Sequence, residues 1–310
     1  MKNTIFALQI LDKYRLLRLK TCHNSYIIRF LMRNYLKSTH KRSAQIVPSL
    51  MILPYVCFMF FCGIIPVAYG ILEVRNPSWV NMDGGYETFL KVLQDFRVGP
   101  ALINVFFIII IFVPLMAITV LSISLLLDAT ELRGNALMRL LFLIPALIPT
   151  GVAVLFWVSV VGPDVVWDHS NIRWFIGSIA FSTGIGSWIV IQYGSLRSIP
   201  PEVLEAGIID GCNRFQLAIR LKLPMISRYV AYMVILLIVS ALQIFNEPNL
   251  LMFTNMTTDW SLSQIAFSYA FKAADFAGSS ALSIMILIPN IILALLFVFF
   301  TDFIKKSKNS

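Results

Sequence analysis

Six stretches of the chain are apolar for about 20 residues or more, and polar segments separate them. They cover roughly residues 46–72, 100–127, 136–161, 174–194, 229–252 and 281–301. About 20 apolar residues is the length that carries a helix across the hydrocarbon core of a bilayer. The runs are apolar on every face, without the stripe of a surface helix or the alternation of a half-buried strand. The pattern predicts an all-α membrane protein with six transmembrane helices. Residues 46–302 then form one polytopic domain between basic tails at 1–45 and 303–310. The fourth run is rich in small residues, with Ala180 and Gly184 four apart and Thr183 and Ser187 likewise. That spacing lets helices approach closely. Pro114, Pro145, Pro149 and Pro289 fall within the runs and predict kinks, since each removes a backbone donor.

Lys and Arg concentrate on the cytoplasmic side of membrane proteins. With the amino terminus inside, 20 of the 25 Lys and Arg residues lie in inside segments and five in outside ones. Both termini are therefore expected to be cytoplasmic, as is the long polar loop at 195–228. Residues 1–45 carry no apolar core followed by a small-residue cleavage site, so they do not read as a secretory signal. They read as a basic tail, with Met32 as an alternative start that would leave a short basic leader.

Composition narrows the function. The chain is 58% apolar and 13% charged, whereas soluble domains carry about 25% charged residues. The net charge of +9 follows from basic residues at the membrane edges, where they meet anionic lipid, and no nucleic-acid motif accompanies it. No glycine is followed directly by lysine, so the phosphate-cradling Gly-x-x-x-x-Gly-Lys-Ser/Thr loop is absent. His23, His40 and His169 have no plausible catalytic partner. Cys22, Cys57, Cys62 and Cys212 suggest neither a structural disulfide nor a zinc site. No catalytic, metal-binding or cofactor-binding residue is assigned, and the chain does not read as an enzyme. Ionisable residues within the runs, the mark of an ion-coupled transporter, are nearly missing. Asp128 and Asp302 lie at run ends, and Glu247 stands beside Pro248 near the end of the fifth.

Two segments carry most of the pattern. In the fifth run Ser240, Gln243 and Glu247 are three and four residues apart and so share one helix face, with Asn246 and Asn249 extending the polar surface around it. Such side chains either line a water-filled path or hydrogen-bond neighbouring helices. The polar loop reads Pro-Pro-Glu-Val-Leu-Glu-Ala-Gly from Pro200. Pro201 suits the first position of a short helix, Glu202 and Glu205 are expected in its first turn, and Asp210-Gly211 is expected to end it. Val203 and Gly207, with Leu204 and Ile208, recur at four-residue spacing and predict an apolar docking stripe.

Across this loop Glu205-Ala206-Gly207, three intervening residues, Gly211, nine intervening residues and then Leu221-Lys222-Leu223-Pro224 resemble the loop signature of membrane subunits of binding-protein-dependent ABC importers. There Glu-Ala-Ala, a glycine and Ile-x-Leu-Pro stand at the same distances. Gly207 and Leu221 depart from that signature. Glycine within a helix costs roughly 0.5–1 kcal/mol against alanine. Two looser matches point to the carbohydrate-type permeases of maltose, glycerol-phosphate and multiple-sugar uptake. One runs from Gly85-Tyr86-Glu87 through Asp95 to Asn104. The other takes in Phe245, Glu247-Pro248, Leu250, Tyr269-Ala270-Phe271 and Ala281-Leu282-Ser283. The resemblance covers a shared core of about 98–302.

It implies the type I transmembrane fold of ABC importers and a multi-pass place in the prokaryotic inner membrane. It implies two copies of an ATP-binding subunit that hold ATP and magnesium, a second permease chain, membrane lipid around the spans, and an extracellular or periplasmic solute-binding protein. Glu205, Ala206, Gly207, Asp210, Gly211, Leu221, Leu223 and Pro224 would couple this chain to the ATPase. Ser240, Gln243, Asn246 and Glu247 would line the solute path. A secondary ion-coupled transporter and a non-transporting membrane scaffold are the other classes; the first needs an internal repeat or ionisable coupling residues, and the second leaves the spacing of the loop unexplained.

Overall fold

A computed structural model describes residues 51–77, 84–129, 135–162, 171–255 and 259–307. The basic tail, the alternative start at Met32 and the three histidines lie outside them. The chain divides into two compact units, residues 1–66 and 67–310. In the first, residues 51–66 are helical with exposed side chains, Phe58, Phe60 and Phe61 among them, apart from a half-buried Ile65.

Among the described residues, five helices are long and apolar enough to cross a membrane: α1 (Met51–Arg75), α3 (Val98–Ala129), α6 (Ile172–Arg197), a run over Ser227–Leu251, and the Phe276–Phe299 part of α12 (Phe276–Ser307). Helices α4 (Asn135–Leu147) and α5 (Thr150–Val161) meet at a bend of 101°, and Leu141–Leu147 with α5 makes a sixth where the bent pair is counted as one span. The single run expected over 136–161, with kinks at Pro145 and Pro149, is thus two helices. Pro149 explains the bend: its ψ of 137° is extended, and as the residue before α5 it starts a new helix in a new direction.

Helix α3 is the spine of the second unit. Its 32 residues reach about 48 Å at 1.5 Å per residue. Four apolar clusters follow one another along it. At its start Val98 and Ala101 pack with Val74, with Val92 of α2 (Tyr86–Leu93), with Ile265 of α11 (Leu262–Phe271) and with Leu282. Next, Val105, Ile108 and Phe112 meet Val154 of α5 and Ile176 and Ile179 of α6. Further on Met116 and Val120 meet Ile189, Tyr193 and Met233. Leu121 and Leu125 then pack against Leu196, Ile199 and Ile226. A π-helical turn at Ile108–Phe112 inserts one residue into α3 at the middle of this series.

The small residues of α6 make close contacts. A Cβ on Gly186 would stand 1.8 Å from the Phe142 carbonyl oxygen, so α4 lies backbone-to-backbone on α6 there. A Cβ on Gly177 would enter the Phe112 ring, and one on Gly184 would meet the Met116 methyl at 2.7 Å. The helix-contact face expected around Gly184 is present and Gly177 extends it along α3, while Gly186 makes a second close contact, with α4. Buried amides complete the packing by bonding to backbone carbonyls. The Asn104 side chain donates to Trp260 and that of Gln192 to Tyr229. Both keep polar groups satisfied where water is absent.

Candidate functional site

Two sites occupy different levels of α3. The first is a cavity of about 340 Å³ beside the π-helical turn. Phe112 of α3, Phe181 of α6 and Phe245 supply aromatic walls, and Ser240, Gln243, Asn246 and Glu247 supply the polar groups. All four polar residues picked from the sequence therefore reach one cavity. They do so by a route that differs from a single helix face. Helix α9 (Ser227–Leu242) stops at Gln243, and α10 (Asn246–Asn255) begins after a three-residue break. Pro248 accounts for the restart, because in the first turn of a helix its missing N–H has no intrahelical bond to lose. The break is held from outside by Gln264, whose side chain donates to the Pro248 carbonyl at 3.1 Å and accepts from the Trp260 N–H at 3.1 Å. Ser240, Gln243 and Asn246 are exposed and Glu247 is half-buried, so the break turns its polar groups toward open space. Ala180 of the small-residue face also lines this cavity.

The second site is the loop after α6. Helix α7 (Pro201–Ile209) begins as its sequence requires: Pro200 is extended with ψ 134°, Pro201 takes the first position and Glu202 stands in the first turn. It ends at Gly211, whose φ of +83° belongs to the left-handed region that favours glycine. The Cys212 N–H donates to the Gly207 carbonyl at 3.1 Å and the Gly211 N–H to Ile208 at 3.0 Å. This double closure is the Schellman end of a helix. An Asn213–Gln216 capping box then starts α8 (residues 214–225), a helical run with a π-helical middle at Leu217–Lys222.

The spacing of the loop signature has a physical cause here. A Cβ on Gly207 would stand 2.9 Å from the Leu217 Cδ1 and 3.8 Å from that of Leu221. The two halves of the signature touch, and the absent methyl at 207 lets α8 lie close on α7. The intrinsic cost of a helical glycine is offset by that packing.

Two expectations for α7 need correction. Glu205 is beyond the first turn, where the dipole acts weakly, and its side chain is exposed. The apolar stripe is also divided. Gly207 is buried, Val203 and Leu204 are half-buried, and Leu204 packs against the Leu196, Ile199 and Ile226 cluster. Ile208 and Ile209 point outward, 61% and 85% exposed. One face of α7 thus fastens the helix to its own chain, and the other presents Glu205, Ile208 and Ile209. Ala206, Asp210, Gly211 and Pro224 are exposed as well, whereas Leu221 and Leu223 are half-buried supports. A groove of about 620 Å³ runs beside α7, with Leu125, Glu205, Ile208 and Arg214 on its walls.

At the opposite end of α3 the structure brings together Asp95 and Tyr269, one from each of the two looser matches to the carbohydrate-type permeases. Asp95 accepts from the Arg97 guanidinium at 2.6 and 3.0 Å and from the Tyr269 hydroxyl at 2.6 Å. Arg97 also reaches Asp259 at 3.3 Å and lies over the Tyr269 ring. The Arg97 hydrogen bonds hold the Asp95 carboxyl down at about 2 against the raising effect of its own burial. Burial, then the Asp95 bond, pushes the Tyr269 phenol up to about 12. Lys91 pairs with Asp275 at 3.0 Å, and Asp275 also caps the Gly278 N–H. The match around Asp95 and the match around Tyr269 are therefore one network that ties α2, α3, α11 and α12 together.

No protein-family model matches the chain. It is 25% identical over 287 residues to the trehalose/maltose transport system permease protein MalF of Thermococcus litoralis, covering 82% of this chain and 93% of that one. It is 25% identical over 280 residues to the diacetylchitobiose uptake system permease protein NgcF of Streptomyces coelicolor, covering 79% and 78%. The probable ABC transporter permease protein YesP of Bacillus subtilis is 28% identical over 186 residues, 54% of this chain and 59% of the relative. Among solved structures, a bacterial ABC transporter that imports the acidic polysaccharide alginate superposes with a TM-score of 0.68 at 17% identity, covering 88% of this chain and 99% of that one. The alginate transporter in complex with its pentasaccharide-bound periplasmic protein gives 0.65, also at 17%. The chain resembles carbohydrate-type ABC importer permeases, has their transmembrane fold, and is a multi-pass protein of the cell membrane.

Proposed function

We propose that this chain is one transmembrane subunit of an ATP-driven importer for a carbohydrate or related polar solute. A related second permease completes the path, and two copies of an ATP-binding subunit dock on the α7 side. A solute-binding protein delivers cargo at the Asp95 end. The observation that carries the reading is α7 itself. It is a short helix fixed at both ends, held on one face by its own chain and presenting Ile208 and Ile209 beside Glu205 on the other. Exposed isoleucines on a rigid helix outside the spans fit the groove of a protein partner.

ATP and magnesium belong to that partner, since nothing in this chain provides a phosphate-cradling loop. Closure of the ATPase pair would move α7, and the packed α7–α8 unit would pass that movement on as a rigid body. The spans supply two alternative packings of the kind that domain closure selects. In the cavity, Gln243 and Asn246 offer both donors and acceptors to hydroxyls, and the phenylalanine faces suit the C–H side of a sugar ring.

The reading requires α7 in the cytoplasm and the Asp95 network outside. Single cysteines at Phe96 and at Phe215, both exposed, test this in a background without Cys22, Cys57, Cys62 and Cys212. An impermeant maleimide on intact cells is expected to label position 96 and to reach position 215 only after permeabilisation. Labelling of position 215 in intact cells, with none at 96, would contradict the proposed orientation and the coupling with it.

A further inference from the structure

Asp128 lies one residue from the C-terminus of α3 with its side chain 6% exposed. A carboxylate is poorly placed there, because the carbonyl end of a helix carries partial negative charge and burial removes water. It is retained between two cations from opposite ends of the α7 loop. The Arg197 Nε approaches Oδ1 at 3.3 Å from the last turn of α6, just before α7. The Lys222 ammonium bonds Oδ2 from the end of the π-helical turn in α8. Arg197 is half exposed, whereas the Lys222 side chain is 12% exposed and Asp128 leaves it a near-buried partner. Lys222 occupies the variable position of Leu-Lys-Leu-Pro, so the signature alone does not mark it.

We propose that Asp128 is a positioning residue that clamps both ends of the α7 loop to α3, so that movement of α7 becomes movement of α3. This rests on the coupling role proposed for α7. The geometry that favours it is the continuity of α3: from Asp128 the same helix runs back to Met116, Val113 and Phe112, which wall the polar cavity. Apolar contacts of Leu121 and Leu125 with the loop base can slide, whereas the Lys222–Asp128 bond is charge-assisted and directional, and Arg197, whose Nε donates to the Tyr193 hydroxyl at 2.9 Å, adds a second cation beside the carboxylate. Breaking such a buried pair on one side leaves a charge without its partner.

The test uses the full chain, tagged and purified from its host with whatever partners accompany it. Spin labels on Ile118 of α3 and Ile291 of α12, both on exposed faces, report the distance between these helices. In the wild-type complex, ATP with magnesium and vanadate is expected to shift that distance. With Asp128→Asn the ATP-binding subunit is expected to co-purify at wild-type yield and to hydrolyse ATP within twofold of wild type, while the shift falls to less than a third. Asp128→Glu should restore it. If Asp128→Asn does not accumulate, Lys222→Gln carries the same expectation. A full ATP-driven shift in Asp128→Asn or Lys222→Gln would overturn the clamp while leaving the importer reading intact. Absence of any ATP-binding subunit from the wild-type complex would instead overturn that reading, and the clamp with it.

Discussion

Gly211→Pro and Glu205→Lys are expected to reach the membrane at normal levels and to abolish solute uptake. Gly211 holds φ at +83°, and its N–H closes the end of α7 on Ile208. Proline locks φ near −65° and has no N–H, so both requirements fail together. Any side chain at a left-handed position costs about 1–2 kcal/mol, and proline does not adopt that conformation. The consequence falls on the direction of α7 and on the Cys212–Gly207 closure, leaving the spans untouched. Glu205 acts differently. It is exposed and outside the first turn, so reversing its charge costs the isolated chain little. A carboxylate bonded to a partner contributes about 1.5–3 kcal/mol, and 1.4 kcal/mol is one decade in affinity. Docking should therefore weaken by about tenfold or more. Uptake is measured with whichever labelled mono-, di- or trisaccharide a deletion strain fails to accumulate. Wild-type uptake by both variants would remove the role assigned to α7. Their absence from the membrane would show that the loop serves folding.

Gln243→Leu should impair transport without disturbing assembly. Gln243 sits at the break between α9 and α10 and faces the cavity from an exposed position. Leucine keeps most of the volume but loses a donor–acceptor pair. One neutral hydrogen bond contributes about 0.5–1.5 kcal/mol, so the KM for uptake should rise by up to about tenfold. Expression and recovery of the ATP-binding subunit should match wild type. Unchanged transport kinetics in Gln243→Leu and in Ser240→Ala would mean that these side chains only pack.

Much of this was legible in the chain because lengths and backbone rules are local. Apolar runs of about 20 residues located the spans, and Pro201 and Gly211 located both ends of α7. What was not legible depends on neighbours. The split of the α7 stripe is decided by α8, whose Leu217 occupies the space that Gly207 leaves open. The bend at Pro149 could be read only as a kink, since its angle of 101° is set by the packing of α4 on Gly186 and of α5 on α10. The Glu247-Pro248 pair could have signalled the α9–α10 break, because proline in mid-span favours a restart over a continuous face. Asp128 carried a signal of its own: a carboxylate at the C-terminal end of an apolar helix implies cations close by. Their identity required the fold, since Arg197 and Lys222 are 69 and 94 positions away along the chain.

The central claim is that α7 contacts an ATP-hydrolysing partner while the Asp95 end of the molecule does not. A photo-crosslinking residue in place of Ile209, compared with one in place of Phe96, measures this directly in the living host. The expected result is a crosslink from position 209 to a protein that carries Gly-x-x-x-x-Gly-Lys-Ser/Thr, lost in Gly211→Pro, with no such product from position 96. Crosslinking of that protein from position 96, or its absence at position 209 in a chain that still supports uptake, would contradict the claim.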